Sequence, residues 1–233
     1  MDIWSNWRAV AYPLGFISAL LFSARFIVQW IASESQKKSV VTPLFWQLSF
    51  CANLLLLVHA FVQVQWHVAL VQACNAVISW RNLDLMQPLS VRASYRQVCL
   101  WLVGSAVAVT AAFAVQSYVF FGSFFDWIQI PSTPWSSEKL PNVTYLWHAV
   151  GTAGIVLFAS RFWVQWWCAE KEKTSYLGEA FWWLSLSGAI LSLVYFMHIQ
   201  DVVNAVGPAV GMVPYIRNLM LLKATTAQNT KSV

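Results

Sequence analysis

The chain has 233 residues, of which 59% are hydrophobic and only 10% charged, with a formal net charge of +5. Soluble domains are about 45–50% apolar and about 25% charged, so this composition excludes an ordinary soluble protein and indicates an integral membrane protein. The cysteines lie in or at the end of apolar runs without metal-type spacing, which argues against a disulfide framework and a metal site: Cys51, Cys74, Cys99 and Cys168. Membrane topology explains the positive charge, and no nucleic acid partner is expected.

Seven apolar segments follow one another along the chain, each close to the roughly 20 residues that a membrane-spanning helix needs. They cover residues 11–32, 44–62, 67–85, 98–121, 146–168, 180–199 and 202–222. The third and the seventh follow their predecessors after only a few residues, which antiparallel helices allow. The first segment is too long for a signal peptide and is not followed by a small-residue cleavage site, so it too is predicted to span the membrane.

A shift of 136 residues superimposes the second half of the chain on the first without gaps. About a third of the positions between Gly15 and Leu83 then match, which is typical of an internal duplication. The matched residues include Arg25-Phe26 with Arg161-Phe162, Val28-Gln29-Trp30 with Val164-Gln165-Trp166, Glu34 with Glu170, Lys37 with Lys173, Ser39 with Ser175, Phe45-Trp46 with Phe181-Trp182, Leu48-Ser49 with Leu184-Ser185, and Arg81-Asn82-Leu83 with Arg217-Asn218-Leu219.

The duplication predicts a domain organisation. Residues 1–90 form a first three-helix repeat, 91–145 a linker helix and an outer loop, 146–223 a second three-helix repeat, and 224–233 a cytoplasmic tail. Because the single linker helix restores the direction of the chain, the two repeats are expected to be parallel. The predicted fold is therefore an all-α integral membrane protein with seven transmembrane helices in two parallel three-helix repeats.

Lys and Arg are distributed unequally between the two predicted faces of the membrane. With seven crossings, the loops on the side of the N-terminus hold Arg8 and Lys139. The opposite side holds Lys37, Lys38, Arg92, Arg96, Lys171, Lys173, Lys223 and Lys231. Since cytoplasmic loops carry the excess of basic residues, the N-terminus is predicted to lie outside and the C-terminus in the cytoplasm.

Arg25 and Arg161 are the strongest functional candidates, because each lies inside an apolar segment. An arginine at the centre of a membrane costs about 2.5–3.5 kcal/mol on insertion scales, so a duplicated one needs compensation. Gln29 and Gln165 follow four residues later, on the same face of each helix. Contact with a substrate or headgroup is one interpretation; a snorkelling side chain or a structural pairing is the other.

Glu34 and Glu170 lie nine residues after these arginines, about half a turn out of phase, and are poor partners for them. Arg81 and Arg217 are better candidates for pairing with the glutamates, and Asn82 and Asn218 accompany these arginines. Four arginines against two glutamates predict an unbalanced basic cluster. Such a cluster suits a phosphate or carboxylate ligand, although attraction to anionic lipid is the alternative.

The remaining polar and small residues give weaker signals. Asn75 has no counterpart, since Gly211 occupies the equivalent position, and a buried asparagine is often a bond between helices. Gly207 and Gly211 predict close approach of a neighbouring helix, and Pro208 permits a bend there, for packing or for a functional hinge. No catalytic arrangement, metal-ligand spacing or cofactor motif is found, so no catalytic residue, metal or cofactor is predicted.

The duplicated motif resembles the lipid A biosynthesis N-terminal domain family, once from Arg25 to Leu83 and again from Arg161 to Leu219. That family is named for its occurrence ahead of lipid-A-disaccharide synthase. We expect no glycosyltransferase domain here, because the sequence ends at Val233, so the resemblance does not imply the chemistry of the synthase.

A wider resemblance is to PQ-loop, SWEET and SemiSWEET membrane proteins, whose three-helix units carry a Pro-Gln pair near the end of the first helix. Gln29 and Gln165 stand where that glutamine stands, but Val28 and Val164 replace the proline. Asn75 is similar to the sugar-binding asparagine of the third helix. The resemblance implies a SWEET-like architecture with alternating access between the repeats.

Together these observations predict a bacterial inner-membrane protein of lipid A or cell-envelope glycolipid biosynthesis. It is expected to bind or translocate a lipid-linked or phosphorylated saccharide. The alternative is a membrane anchor or accessory subunit that holds a glycosyltransferase of the lipid-A-disaccharide-synthase type. An enzymatic activity of the chain itself ranks third, because no nucleophile or acid–base pair is found.

Overall fold

The computed structural model describes residues 3–126, 145–198 and 202–231, and these residues form seven α-helices and one short 3-10 helix without any strand. The helices are α1 (Ile3–Gln36), α2 (Pro43–Val62), α3 (Trp66–Asp84), α4 (Tyr95–Phe121), α5 (Tyr145–Glu172), α6 (Glu179–His198) and α7 (Val202–Lys231). The 3-10 helix covers Leu89–Val91. Each α-helix coincides with one of the predicted apolar segments. Most of the predicted outer loop, residues 127–144, lies outside the described residues.

Five of the helices are long and apolar enough to cross a membrane. They contain the segments Val10–Gln36, Pro43–Val62, Tyr95–Phe120, Glu179–His198 and Ala205–Ala224. Within the described residues, α3 and α5 do not reach this hydropathy, although both have the length. The membrane character of the chain is therefore supported, whereas the count of seven crossings, the orientation of the termini and the parallel repeats stay predictions.

Contacts divide the chain into two units. The described residues of the first fall within Met1–Val28 and Pro43–Pro134, and those of the second within Gln29–Thr42 and Trp135–Val233. In the first unit α3 packs against α2 and α4, and in the second α6 packs against α5 and α7. The last two turns of α1 belong by contact to the second unit, although the duplication assigns them to the first repeat.

Both repeats end their first helix in the same way. Lys37 and Lys173, equivalent in the duplication, adopt left-handed backbone conformations with φ of 51° and 53°. The next amide closes the helix end in each case, from Lys38 to the Ser33 carbonyl and from Thr174 to the Ala169 carbonyl, both at 3.2 Å. This arrangement is a Schellman motif with lysine in the position that glycine usually takes. It turns the chain into the short loop before α2 or α6.

The first two helices of each repeat approach closely by different means. In the first repeat the Ser18 hydroxyl on α1 donates to the Ala52 carbonyl on α2 at 2.8 Å. The equivalent positions in the second repeat are Gly154 and Gly188. A methyl group added at Gly188 would lie 2.8 Å from the Phe158 backbone nitrogen and 3.0 Å from the Gly154 carbonyl. At this position the second repeat therefore brings two helix backbones together through paired glycines, where the first repeat has the serine hydrogen bond.

The sequence predicted this kind of close approach at Gly207 and Gly211 of α7, and the described residues show no such contact there. No atom lies within 4 Å of a methyl group placed at Gly207. At Gly211 the nearest atoms belong to Tyr215 of the same helix, at 3.0 Å. Small residues four apart permit a close contact, but they do not create one. The helix α7 runs on through Pro208, so the hinge stays a prediction.

Replacing Gly188 with alanine is expected to destabilise the second unit by about 1–3 kcal/mol, because a rigid backbone blocks the new methyl group. Gly207→Ala is the matched control. It adds the same methyl group where space is open and is expected to be neutral or stabilising by up to about 1 kcal/mol. Thermal unfolding of both variants in the same detergent measures the difference. Equal shifts in melting temperature would contradict the proposed close contact.

Candidate functional site

Arg25 is enclosed by side chains of the first unit. It lies on α1 with 4% of its surface exposed, and its Nη1 donates to the Ser49 hydroxyl on α2 at 2.9 Å. Its guanidinium carbon lies 4.6 Å from the ring centre of Phe22, 4.9 Å from that of Phe26 and 5.3 Å from that of Phe45. Ser49 in turn donates to the Phe45 carbonyl at 2.6 Å, which fixes its hydroxyl. We call these five residues the first arginine cluster.

Arg161 has the same surroundings in the second unit. It is also 4% exposed, and its Nη1 lies 3.5 Å from the Ser185 hydroxyl. The ring centres of Phe158, Phe162 and Phe181 lie 3.5, 4.9 and 5.6 Å from its guanidinium carbon. Ser185 donates to the Phe181 carbonyl at 2.6 Å. These five residues form the second arginine cluster, and each is identical to its counterpart in the first.

The shared chemistry of the two clusters is cation–π stacking in a largely water-free setting. Such contacts reach about 2 kcal/mol or more when the cation is desolvated, so several rings offset part of the cost of burying a charge. In both clusters the guanidinium carbon lies over phenylalanine rings. The planar guanidinium group carries five N–H donors, and such a group can bind carboxylate or phosphate oxygens. The arrangement holds a positive charge at a fixed place inside apolar helices.

The two clusters differ in one residue of the third helix. In the second, Arg161 Nη1 lies 3.3 Å from the hydroxyl of Tyr215, which is only 3% exposed. The equivalent position in the first repeat is Ser79, whose hydroxyl donates to the Asn75 carbonyl at 2.8 Å and accepts from Asn53 at 3.2 Å. The second arginine thus has a phenol within hydrogen-bonding distance where the first repeat has a small serine bound elsewhere.

Gln29 and Gln165 both bind backbone of the loop that follows their own helix. Gln29 Nε2 donates to the Val40 carbonyl at 3.2 Å, and Gln165 Nε2 donates to the Tyr176 carbonyl at 3.0 Å. Val40 and Tyr176 are equivalent in the duplication. These hydrogen bonds show that both glutamines stabilise the loop after their helix. Contact of either glutamine with a headgroup stays a prediction.

In the second unit Gln29 also exchanges amide hydrogen bonds with Asn218 of α7. Gln29 Nε2 donates to Asn218 Oδ1 at 2.8 Å, and Asn218 Nδ2 donates to Gln29 Oε1 at 3.3 Å. Ser39 donates to the same Asn218 oxygen at 3.0 Å, and Gln29 Nε2 reaches the Ser33 hydroxyl at 2.8 Å. Both amides are fully buried. This group, the amide network, uses the donors and acceptors that a ligand would otherwise meet.

The asparagines that follow Arg81 and Arg217 bind their own helices in the same way. Asn82 Nδ2 donates to the Ile78 carbonyl at 2.9 Å, and Asn218 Nδ2 donates to the Pro214 carbonyl at 2.8 Å. Both are four residues back along the helix, and Ile78 and Pro214 are equivalent. Substrate binding by either asparagine stays a prediction.

Two of the four arginines of the expected basic cluster have carboxylate partners, whereas the cluster as a ligand site stays a prediction. Arg81 forms a salt bridge with Asp84, which sequence reasoning overlooked, and it also donates to the Ala93 carbonyl at 2.8 Å. Arg217 forms a salt bridge with Glu34, and its Nη2 lies 2.8 Å from the second carboxylate oxygen. The pairing of Arg217 with Glu34 agrees with the expectation from helical phase.

A tryptophan positions each of the duplicated glutamates. The indole nitrogen of Trp30 donates to Glu34 at 3.1 Å, and that of Trp166 donates to Glu170 at 3.1 Å. Glu170 is 5% exposed and also lies 3.9 Å from the ammonium group of Lys173. The tryptophan lies four residues before the glutamate in both repeats, and this spacing in the sequence could have predicted the hydrogen bond.

Two amide oxygens on α3 are buried and accept no hydrogen bond from the described residues. They are Oε1 of Gln72 and Oδ1 of Asn75, three residues apart and on one side of the helix. A buried acceptor without a donor costs about 1–3 kcal/mol, so a donor from a ligand or from water is expected at each. Sequence reasoning identified Asn75 and missed Gln72.

The phenylalanines are the main omission of the sequence reasoning. All three pairs, Phe22 with Phe158, Phe26 with Phe162 and Phe45 with Phe181, follow from the shift of 136 residues. Their identity in both copies, at positions flanking an arginine, was the available signal. Across residues 3–126, 145–198 and 202–231, no group of three His, Cys, Asp or Glu is placed to hold a metal ion.

Comparison with known proteins identifies the repeat. The lipid A biosynthesis N-terminal domain family matches twice, over residues 14–84 and 150–220. Similar proteins include lipid-A-disaccharide synthases of Chlamydia caviae (32% identical over 91% of this chain and 33% of the synthase), Chlamydia felis (33% over 91% and 33%) and Chlamydia muridarum (32% over 93% and 35%). The chain thus spans about a third of the length of these relatives. No solved structure matches significantly. The chain belongs to the lipid A biosynthesis N-terminal domain family, of which it carries two copies.

Proposed function

We propose that this chain is a membrane protein of lipid A or cell-envelope glycolipid biosynthesis that binds a lipid-linked, phosphorylated saccharide. The observation that carries the proposal is the duplication of the whole arginine cluster, in which the arginine, three phenylalanines and serine are the same in both copies. An ionisable side chain inside membrane helices is a functional candidate by default, because burying it is costly. The expected role of Arg25 and Arg161 is to contact phosphate oxygens.

Support for a saccharide comes from α3. The buried oxygens of Gln72 and Asn75 accept no hydrogen bond within the described structure, and sugar hydroxyl groups are suitable donors for them. Anion contact by arginine and hydroxyl contact by amides together fit a phosphorylated sugar better than a neutral one. We further propose that the protein translocates this ligand by a SWEET-like rearrangement of the repeats. The internal duplication supports this step.

Replacing both Arg25 and Arg161 with methionine is expected to weaken binding of lipid A by about 10-fold or more for each arginine, since charge-assisted hydrogen bonds contribute about 1.5–3 kcal/mol each. Methionine fills a similar volume without leaving a buried charge. Retained lipid is measured by native mass spectrometry of the purified protein, with lipid A and its dephosphorylated form as probes. The wild-type protein is expected to prefer the phosphorylated form.

Arg25→Lys/Arg161→Lys is the control that keeps the charge but loses the planar fork, and it is expected to bind with intermediate affinity. The melting temperature of each variant shows whether it is folded. If the folded methionine variant keeps the preference for phosphorylated lipid A, or if the wild-type protein shows no such preference, the arginines have only a structural role and the proposal fails.

A second candidate function is an anchor or accessory subunit of a glycosyltransferase. The specific support is that the similar Chlamydia proteins are named lipid-A-disaccharide synthases and are about three times as long as the matched region. The methionine variants distinguish the two functions. An accessory subunit keeps its co-purification with such a glycosyltransferase when both arginines are replaced, whereas a lipid-binding protein loses lipid A.

A further inference from the structure

Two lysines of the second unit lie over exposed tryptophan rings at the same end of its helices. Lys171 Nζ lies 4.9 Å from the ring centre of Trp167, one turn earlier on α5. Lys223 Nζ on α7 lies 5.9 Å from the ring centre of Trp183, in the first turns of α6. The tryptophans are 50% and 44% exposed, and both lysines are exposed. A lysine over an exposed tryptophan ring thus occurs twice at this end of the second unit. One pair lies at the end of α5, and the other joins the start of α6 to the last apolar turns of α7.

The first repeat provides an internal comparison for these pairs. The positions equivalent to Trp167 and Lys171 are Ile31 and Ser35. The positions equivalent to Trp183 and Lys223 are Gln47 and Gln87. In each pair both members differ between the repeats, whereas the arginine clusters are the same. The residues of the first repeat therefore provide matched substitutions for each tryptophan and each lysine.

Neither lysine has an ion-pair partner among the described residues. Among the neighbouring carboxylates, Glu170 binds Trp166 and lies near Lys173, and Glu179 accepts from the indole of Trp183 at 3.0 Å. Glu172 follows Lys171 directly in the sequence. Within the described residues neither Lys171 nor Lys223 forms a salt bridge, so each ammonium group has an aromatic ring and no bound carboxylate.

We propose that these two pairs form a binding site for the headgroup of an anionic phospholipid at the membrane surface beside the second unit. Tryptophan is favoured at the level of lipid headgroups, where its ring is half apolar and half polar. A lysine above the ring places its charge where a lipid phosphate lies. The helices α5 and α7, which carry the two lysines, both pack against α6, so the two charges lie at the same end of the second unit. The site lies outside the arginine clusters and does not depend on the proposed function.

The alternative to a specific site is general anchoring, in which lysines and tryptophans stabilise the protein in any bilayer. General anchoring does not distinguish phosphatidylglycerol from phosphatidylcholine through these particular residues. Any basic residue near an anionic membrane surface favours anionic lipid by about fivefold. At a headgroup site the lysine is held against the phosphate, so its removal lowers the preference for phosphatidylglycerol more than removal of another exposed lysine does. The ratio of retained anionic to zwitterionic lipid therefore distinguishes a headgroup site from general anchoring.

The test compares purified full-length variants in micelles containing equal amounts of phosphatidylglycerol and phosphatidylcholine, with retained lipids counted by native mass spectrometry. Lys171→Ser/Lys223→Gln restores the residues of the first repeat, and it is expected to lower the ratio of phosphatidylglycerol to phosphatidylcholine by up to about 25-fold. Trp167→Ile/Trp183→Gln is expected to lower it by about threefold, because the charges remain but lose their support. Lys171→Arg/Lys223→Arg is expected to retain the ratio.

Lys37→Ser/Lys38→Ser is the matched control, since it removes the same charge from exposed lysines without a described tryptophan contact. A clearly larger reduction of the ratio in the Lys171→Ser/Lys223→Gln variant than in this variant supports the site. Equal reductions in both variants would show a general charge effect, and no reduction in either would show plain anchoring; both results overturn the proposal. Binding of lipid A through the arginine clusters is expected to persist in all these variants, so the two proposals fail separately.

Discussion

Replacing Asn218 with leucine is expected to lower the free energy of unfolding by about 3 kcal/mol, because it leaves the fully buried amide of Gln29 without its partner. The loss is large because the amide network is closed. Gln29 and Asn218 exchange donors and acceptors, and Ser39 adds a further bond to the asparagine oxygen. Leucine has the same branched arrangement of side-chain heavy atoms as asparagine, with bulkier methyl ends. No cavity is therefore left, and the main cost is the unmet polar groups.

The measurement is a double-mutant cycle with thermal or denaturant unfolding in one detergent. Gln29→Leu/Asn218→Leu removes both partners, and it is expected to be less destabilised than the sum of the single variants. Ser39→Ala removes one donor at the edge of the network and is expected to cost only about 1 kcal/mol. If the changes in free energy of unfolding of the two single variants simply add up in the double variant, Gln29 and Asn218 do not bind each other. This result would contradict the amide network.

The helices were predictable from the sequence because membrane-spanning segments are written as long apolar runs. Their observed bounds differ from the predicted segments mainly at α1, α5 and α7, which extend beyond the apolar residues, for example to Gln36 and Glu172. Polar helix ends are not marked by apolar residues in the sequence. Outside the membrane, water can form the backbone hydrogen bonds, so these residues need not be helical. Contacts inside one repeat were also partly predictable, because the duplication marks Arg25, Phe45 and Ser49 as positions retained together.

Contacts without a counterpart were beyond this reasoning. Asp84 pairs with Arg81, but the equivalent residue of the second repeat is Met220, so the duplication gave no signal for it. The bond between Gln29 and Asn218 joins residues 189 positions apart in the chain. Arg81, Gln29 and Asn218 were predicted to contact a ligand, because polar residues in an apolar sequence are functional candidates when their partners are not known.

The same limitation applies to the prediction at Gly207. A spacing of small residues shows where helices can approach, whereas the observed approach in the second repeat occurs at Gly154 and Gly188. Comparison of the repeats would have helped, since Gly188 replaces Ala52 at a position where α1 and α2 are already in contact. Duplicated chains therefore hold information in their differences as well as in their identities, as the Tyr215 and Ser79 pair also shows.

Replacing Trp182 with alanine is expected to produce the largest loss of stability, about 3–5 kcal/mol. Trp182 is fully buried, its indole donates to the Leu177 carbonyl at 3.1 Å, and its ring packs edge-to-face on Phe181 at 5.0 Å. Since Phe181 is one wall of the second arginine cluster, the cavity also loosens the surroundings of Arg161. Stability and lipid A binding are therefore expected to fall together, as measured by unfolding and by native mass spectrometry.

Trp182→Phe separates the two contributions, because it keeps an aromatic ring against Phe181 and loses the hydrogen bond, at a cost of about 1–2 kcal/mol. Trp46→Ala makes the equivalent change beside the first arginine cluster, where Phe45 packs on Trp46 at 4.9 Å. If ligand contact is shared by the clusters, both alanine variants weaken lipid A binding, each through its own arginine. If both alanine variants lose stability but bind lipid A as well as the wild-type protein does, the tryptophan rings contribute only to the fold. Ligand binding by the arginines would then not depend on these rings.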